Sequence, residues 1–512
     1  MPIKPEILWH SFGAKDCLKN ALQIRAVPFQ SESDSFLQLR YIEQYAADLN
    51  CECFAIETHY IDRDYIEDHS AFYSKSLNPY PNFCKRVHFF AGDVGVVAQR
   101  LTDAVRQGTT TGIEAYRAAC RKFSADHYLG FAVIKPLQGT PVGRTVMKCY
   151  PSESSDGTYR RRFCCTKEYV AHFHGCELTV SGLAFQQQDI GVSACATTAL
   201  WSALQKTADA EPIAAMTPVQ ITQYATRYSL PSGRPMPSEG LNIGQMCSAV
   251  QATGASPNLF RVEGNHRQAR IILRTAILSG FAPVLALHNP MLGGHAVTAV
   301  GLKETVSSTE PDVHFHEHVV TGIYLHDDRL GPNLKCTFRE SPNPDDSLGL
   351  DVQLRDSPTI EQWELRYILV PMHPKIRLSF ADLESISSLV LQTLLAIHKV
   401  HVKGKIEVKE APIGFDCRVL RAHHFLERLI VEDNGIDPEH LERIGKAVAP
   451  ARYLGVIRVS GPFFSQFDLV VDTTGTLTNP NYLGVIPTEE AEPGMKAIGR
   501  LIALITKCPF VE

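Results

Sequence analysis

Cys195 stands where a cysteine can act as a nucleophile. In Phe185-Gln-Gln-Gln-Asp-Ile-Gly-Val-Ser-Ala-Cys195, glutamines precede a glycine and a turn of small residues. A helical run then follows, with Leu200, Ala203 and Leu204 on one stripe. A thiol in the first turn of a helix lies at the positive end of the macrodipole, beside unpaired N–H groups, and both favour the thiolate. A cysteine alone in such a helix is more often a small core residue, so the chemistry needs partners.

His295 is the first. The stretch 271–280 reads as a helix ended by Gly280, and 281–289 as a strand. Gly293-Gly294 then turn the chain, and His295-Ala-Val-Thr-Ala-Val-Gly301 starts a second apolar strand. A rim histidine held by a sheet is what a helix-borne thiol needs as general base, although many such histidines are only hydrogen-bonded. Asp327 is the second partner. In Gly322-Ile-Tyr-Leu-His-Asp-Asp-Arg329, two-residue alternation puts Ile323, Leu325 and Asp327 on the inward face and Asp328 outward. An inward carboxylate can accept the second ring proton of His295 and fix its tautomer. The plainer reading of the Asp pair is a turn before Arg-Leu-Gly-Pro.

Taken together and in this order, the segments resemble papain-like peptidases. Within that group they are most similar to the double-glycine leader peptidases of bacteriocin exporters and their free-standing relatives. The matching residues are Gln188 or Gln187, Cys195, Ser279-Gly280 with Pro283-Val284, Gly294-His295-Ala296-Val297, and Asp327, over roughly 150 residues. The resemblance implies a Cys195-His295-Asp327 triad, with a side-chain amide from Gln188 or Gln187 and the Cys195 backbone N–H holding the oxyanion. The chain departs from the pattern in having Ala196 where glycine often follows the nucleophile. Asp189 stands where the oxyanion glutamine usually does, and extra residues fall near 233–240 and 303–318. The implied function is an intracellular cysteine peptidase cutting a restricted set of protein or peptide substrates, with no cofactor and no metal. Two alternatives use the same residues: a non-catalytic scaffold that binds a peptide or partner, and a Cys-dependent acyltransferase or deamidase.

The chain that must position these residues has 512 of them, enough for two or three domains. We expect an α+β protein with an N-terminal α+β region over 1–178, substrate-selecting or regulatory. A papain-like catalytic domain over 179–372 and a C-terminal α/β lobe over 373–512 follow it. Helices are expected at 34–49, 112–123, 380–400, 421–432 and 438–448, and strands at 128–136, 144–150, 405–410, 454–460 and 467–472.

A net charge of -5 gives no basic stripe for nucleic acid, and Arg160-Arg161-Arg162 reads as a solvated loop face. No apolar run of about 18 residues is uninterrupted, so no membrane span is expected. The 14 cysteines follow no disulfide framework, so reduced thiols and a cytoplasmic location are expected, with a regulatory protein as a further partner. Two clusters were weighed for zinc, His314-His316-His318 and Cys164-Cys165-His172-His174-Cys176. The three alternating histidines share one strand face at a spacing that can bind zinc, though no cysteine pair adjoins them and an exposed hairpin strand is the plainer reading; the second cluster matches no zinc-finger pattern, and strand alternation explains His172 and His174 equally well. The acidic, aromatic stretch 57–74 reads as a helix and loop packed on its own domain.

Overall fold

A computed structural model describes residues 6–13, 15–24, 36–189, 191–192, 194–227, 236, 240–305, 319–343, 345–353, 359–402, 413–432, 437–461, 464–488 and 494–511. Helix and strand are present in similar amounts and the sheets are antiparallel, which makes the protein α+β.

The N-terminal sheet has five antiparallel strands in chain order: β1 (Ile7–Ser11), β2 (Cys53–Tyr60), β3 (Cys84–Phe90), β4 (Tyr128–Ile134) and β5 (Val142–Met147). Around it lie α1 (Cys17–Leu22), α2 (Leu37–Asp48), α3 (Arg63–Ala71), α4 (Val94–Thr111) and α5 (Ile113–His127). Asp62 caps α3 by accepting from the amides of Asp64 and Tyr65, which satisfies two of that helix's unpaired donors. The segment 57–74 does pack on its own domain, with Asp62, Asp64, Asp68 and Tyr65 all buried.

The central sheet begins earlier than expected. β6 (Tyr159–Arg162) pairs with β11 (Gly293–Thr305), so the arginine triplet is a built-in strand, with Arg161 reaching the Tyr324 hydroxyl and Arg162 facing Glu304. β7 (Lys167–Phe173) and β8 (Cys176–Gly182) form a hairpin against the N-terminal domain, so the expected boundary at 178 falls inside a strand. The remaining strands are β9 (Ser256–Arg261), β10 (Val284–Asn289), β12 (Val320–Asp327), β13 (Gly331–Arg339), β14 (Gly349–Gln353) and β15 (Ile360–Met372). β10 pairs with both β11 and β15, so β10 to β15 close into a six-stranded antiparallel barrel. Against it packs α6 (Cys195–Ala210), which places Leu200, Trp201, Ala203 and Leu204 in the core. α7 (Pro218–Thr226), α8 (Ile243–Ala252) and α9 (His266–Leu278) complete this layer, the first two begun by capping boxes at Thr217 and Asn242.

The C-terminal lobe has strands β16 (Gly414–Arg421), β17 (Tyr453–Gly461), β18 (Phe464–Thr476) and β19 (Asn479–Pro487), each antiparallel to the next. It is therefore α+β and not the expected α/β. Its helices are α10 (Phe380–Val402), α11 (Ala422–Glu432), α12 (Pro438–Val448) and α13 (Ala497–Thr506). The expected strand at 405–410 lies outside the described residues, as do His314, His316 and His318. α10 is long and apolar enough over Phe380–Ile397 to span a bilayer by length and composition alone, which the sequence reading did not anticipate. In this fold it lays Leu383, Ile386, Val390 and Leu394 against β16 and β17.

Cys120 of α5 and Cys176 of β8 form a disulfide, so the expectation that every thiol is free does not hold for this pair. His172 and His174 are exposed while Cys165 is buried, and among the described residues these side chains form no group close enough to share a metal ion.

Candidate active site

Three elements deliver the predicted residues to one place. Cys195 is the first residue of α6, half-buried, with Ala194 as N-cap. Its own N–H belongs to the first turn, where helix geometry supplies no internal acceptor. His295 enters from β11, three residues past the hairpin that joins β10 to β11. Asp327 ends β12, the strand paired directly with β11 in the same barrel. The His295 Nε2 lies 3.0 Å from Asp327 Oδ1, and the Cys195 thiol is near enough to contribute to the electrostatics of the ring. With Nε2 on the carboxylate, Nδ1 is the ring nitrogen that Asp327 does not engage. Thr298, on the same strand as His295, donates to the Ala199 carbonyl at 2.8 Å and so ties β11 directly to the cysteine helix.

Electrostatics favour a charged imidazole. Burial works against the cation, but the Asp327 carboxylate, its hydrogen bond, the thiol contact and the Asp328 charge outweigh burial and raise the His295 pKa to about 10. Asp327 moves the other way. Burial opposes its charge, yet His295 and Arg329 hold its carboxyl well below the usual range. Arg329 binds Asp327 through its backbone N–H at 3.0 Å and its guanidinium at 3.2 Å. The Arg329 Nε is also 3.2 Å from His295 Nε2. Both nitrogens carry protons when Nε2 donates to Asp327, so that approach is a contact bridged by the carboxylate and not a hydrogen bond.

Asp328 departs from its expected outward direction. β12 ends at Asp327, and the turn that follows folds Asp328 back into the interior, with one carboxylate oxygen 3.8 Å from His295 Nε2. Burial, with the neighbouring Asp327 charge, pushes its pKa up to about 7 despite the opposing pull of His295. Among the described residues, His295, Asp327 and Asp328 are the one group of side chains close enough to share a metal ion. The Arg329 guanidinium already supplies a cation to Asp327. The donor set therefore suits a proton relay better than a metal cage.

Sequence reasoning missed three further residues. Trp363 of β15 is buried with its ring 5.5 Å from that of His295, covering the His295–Asp327 pair. Glu361, two residues earlier, accepts from the Trp363 Nε1 at 3.1 Å and from Arg329 at 2.9 Å. Arg329 also lies over the Trp363 ring at 5.1 Å. The only sequence signal was the i, i+2 spacing of Glu361 and Trp363, which puts both on one strand face.

The glutamines separate clearly. Gln187 is buried and committed to the fold: its carbonyl accepts from the Val142 amide at 3.2 Å, and its amide donates to the Gly139 carbonyl at 3.3 Å. Both ends of the Gln187 amide are thus engaged by the fold, whereas Gln188 beside it is half-buried. His326 is a structural neighbour, neutral in character. Burial lowers its pKa to about 4, its Nδ1 accepts from the Asn333 amide, and its Nε2 donates to the Leu183 carbonyl. Neither a scan of protein-family models nor a search of curated proteins returns a match to this chain.

Proposed function

We propose that this chain is a papain-like cysteine peptidase, with Cys195 as nucleophile, His295 as acid and base, and Asp327 as the group that orients the imidazole. One observation carries the reading: a single imidazole lies beside a helix-terminal thiol and bonds a buried carboxylate. Cys195 is half-buried and not sealed in the core.

In the proposed reaction the Cys195 thiolate attacks a peptide carbonyl carbon, a C–S bond forms, and the carbonyl electron pair moves onto oxygen. The Cys195 N–H and the Gln188 amide receive that oxyanion; one such donor contributes roughly 3 kcal/mol to transition-state stabilisation. Collapse breaks the C–N bond as the leaving amine takes the His295 proton. Water then gives a proton to His295 and attacks the thioester carbon, and collapse breaks the C–S bond, releases the carboxylic acid and restores the Cys195 thiolate beside protonated His295. Arg329 and Trp363 keep the His295–Asp327 pair fixed and dry.

The test is competitive labelling with iodoacetamide, read site by site by mass spectrometry. Cys195 is expected to react far ahead of every other thiol in the wild-type chain and to lose that lead in His295→Gln. Equal reactivity across the thiols refutes the reading. Incubation of a proteome with wild type and Cys195→Ala then identifies the bonds cut.

A further inference from the structure

The nucleophile loop is held from below by the N-terminal domain. Asp189, at the position where the family pattern has its glutamine, turns inward and is buried. One of its oxygens accepts from the Gly191 amide at 2.9 Å and the Val192 amide at 2.7 Å. The other lies 3.5 Å from the Lys135 ammonium, which comes from the end of β4, and both side chains are almost wholly shielded from water. Burial and the Asp189 charge beside it push up the pKa of the Tyr73 hydroxyl, just past α3. The backbone fits equally closely, because a Cβ on Gly191 would stand 2.6 Å from the Phe72 ring. Thr222 adds a bond to the Val192 carbonyl at 2.7 Å. Burial and the Asp189 charge raise the Asp68 carboxyl well above its ordinary range.

The acid side of the site is gripped from the same domain. Gln38 of α2 donates to the carbonyls of Asp328 and Arg329, the latter at 2.7 Å, and Asn333 donates to the Tyr45 hydroxyl at 3.0 Å.

We infer that Asp189 is the positioning residue for the nucleophile loop, anchored by Lys135 and Tyr73, so that the N-terminal domain is a fixed part of the catalytic centre. The inference rests on the peptidase reading above. Asp189 touches no reacting atom; it fixes the backbone that carries Gln188 on one side and leads to the Cys195 N–H on the other.

Two reagents separate this role from a general structural one. Alkylation by iodoacetamide needs only the thiolate, whereas acylation by 4-nitrophenyl acetate also needs the oxyanion donors. In full-length Asp189→Ala, acylation of Cys195 is expected to fall about 100-fold, the loss typical of one misplaced donor, while alkylation stays within about 3-fold. The double variant Asp189→Asn with Lys135→Met keeps a carbonyl for the two amides without an unpaired ammonium, and is expected to restore most of the acylation. Tyr73→Phe removes a single hydroxyl and gives a several-fold fall, which tests the idea even where Asp189→Ala does not fold. Unchanged acylation in both Asp189→Ala and Tyr73→Phe overturns the inference, and so does a parallel fall in both reactions. A wild-type Cys195 no faster than the other thiols is a different failure, that of the peptidase reading itself.

Discussion

Asp327→Asn removes the charge that holds the His295 proton while keeping the size of the side chain. In the wild type the gap between 6.5 and a pKa of about 10 corresponds to roughly 5 kcal/mol of preference for the imidazolium. The side chain is 5% exposed, so solvent screening takes little from that figure. Without the Asp327 charge, burial dominates, and Asp328 at 3.8 Å is itself neutral over much of the range below pH 7. His295 is then expected to titrate near or below 6.5. Imidazole Cε1 resonances in histidine-labelled protein, with His295 assigned by its absence in His295→Gln, report this directly. Wild-type His295 should stay protonated through pH 9, and the variant should not. Stability follows the same linkage. A raised folded-state pKa contributes stability that is complete below 6.5 and disappears as pH climbs through about 10. Denaturant unfolding between pH 6 and 10.5 should therefore show the wild type losing several kcal/mol more than Asp327→Asn, on the order of the ~5 kcal/mol above. Parallel stability curves, or the same titration midpoint in both proteins, would refute the electrostatic account of the site.

Four other outcomes follow from the geometry. Gln188→Ala should lower acylation of Cys195 by about 100-fold with little loss of stability. Gln187→Ala should instead lower the melting temperature, because it leaves the Val142 amide and the Gly139 carbonyl without their partner. Gly331→Ala should destabilise by about 3 kcal/mol or more, since its φ of +153° disfavours a side chain and the new Cβ would lie 2.2 Å from the Tyr41 ring; unchanged unfolding in urea would contradict this. Asp416, half-buried between Arg274 and Arg418, has its carboxyl held far below the usual range by those guanidiniums against the cost of burial. Its contribution is present above about pH 4 and fades as acid protonates it, so Asp416→Asn should be less stable than wild type at pH 7 and indistinguishable from it in strong acid.

The parts of the site that could be read from sequence were those with a local signature. Cys195 precedes an apolar helical stripe, His295 follows a glycine pair at a strand start, and Asp327 sits in phase with two inward residues. The parts that could not be read depend on contacts between distant segments. Trp363 and Glu361 reach His295 and Arg329 only because β15 closes the barrel onto β10. Asp328 is buried because the chain reverses after β12, where alternation stops applying. Choosing between Gln187 and Gln188 required knowing that β5 passes beside the loop. Helix and strand types were legible along much of the chain, but the domain limit at 178 was not, since the β7–β8 hairpin completes the N-terminal layer after β6 has already joined the barrel.

One buried apolar cluster runs from Leu18 of α1 through the barrel to Ala503 of α13, crossing every boundary that the sequence suggested. Cutting the chain at any of those limits would strip large greasy faces bare, leaving a fragment prone to clump. The molecule should accordingly melt as a unit, and limited proteolysis should nick its surface loops without freeing a working core. The rim of that unit is a different matter: at the Met291-Leu292 tip beside His295, apolar side chains stand open to water.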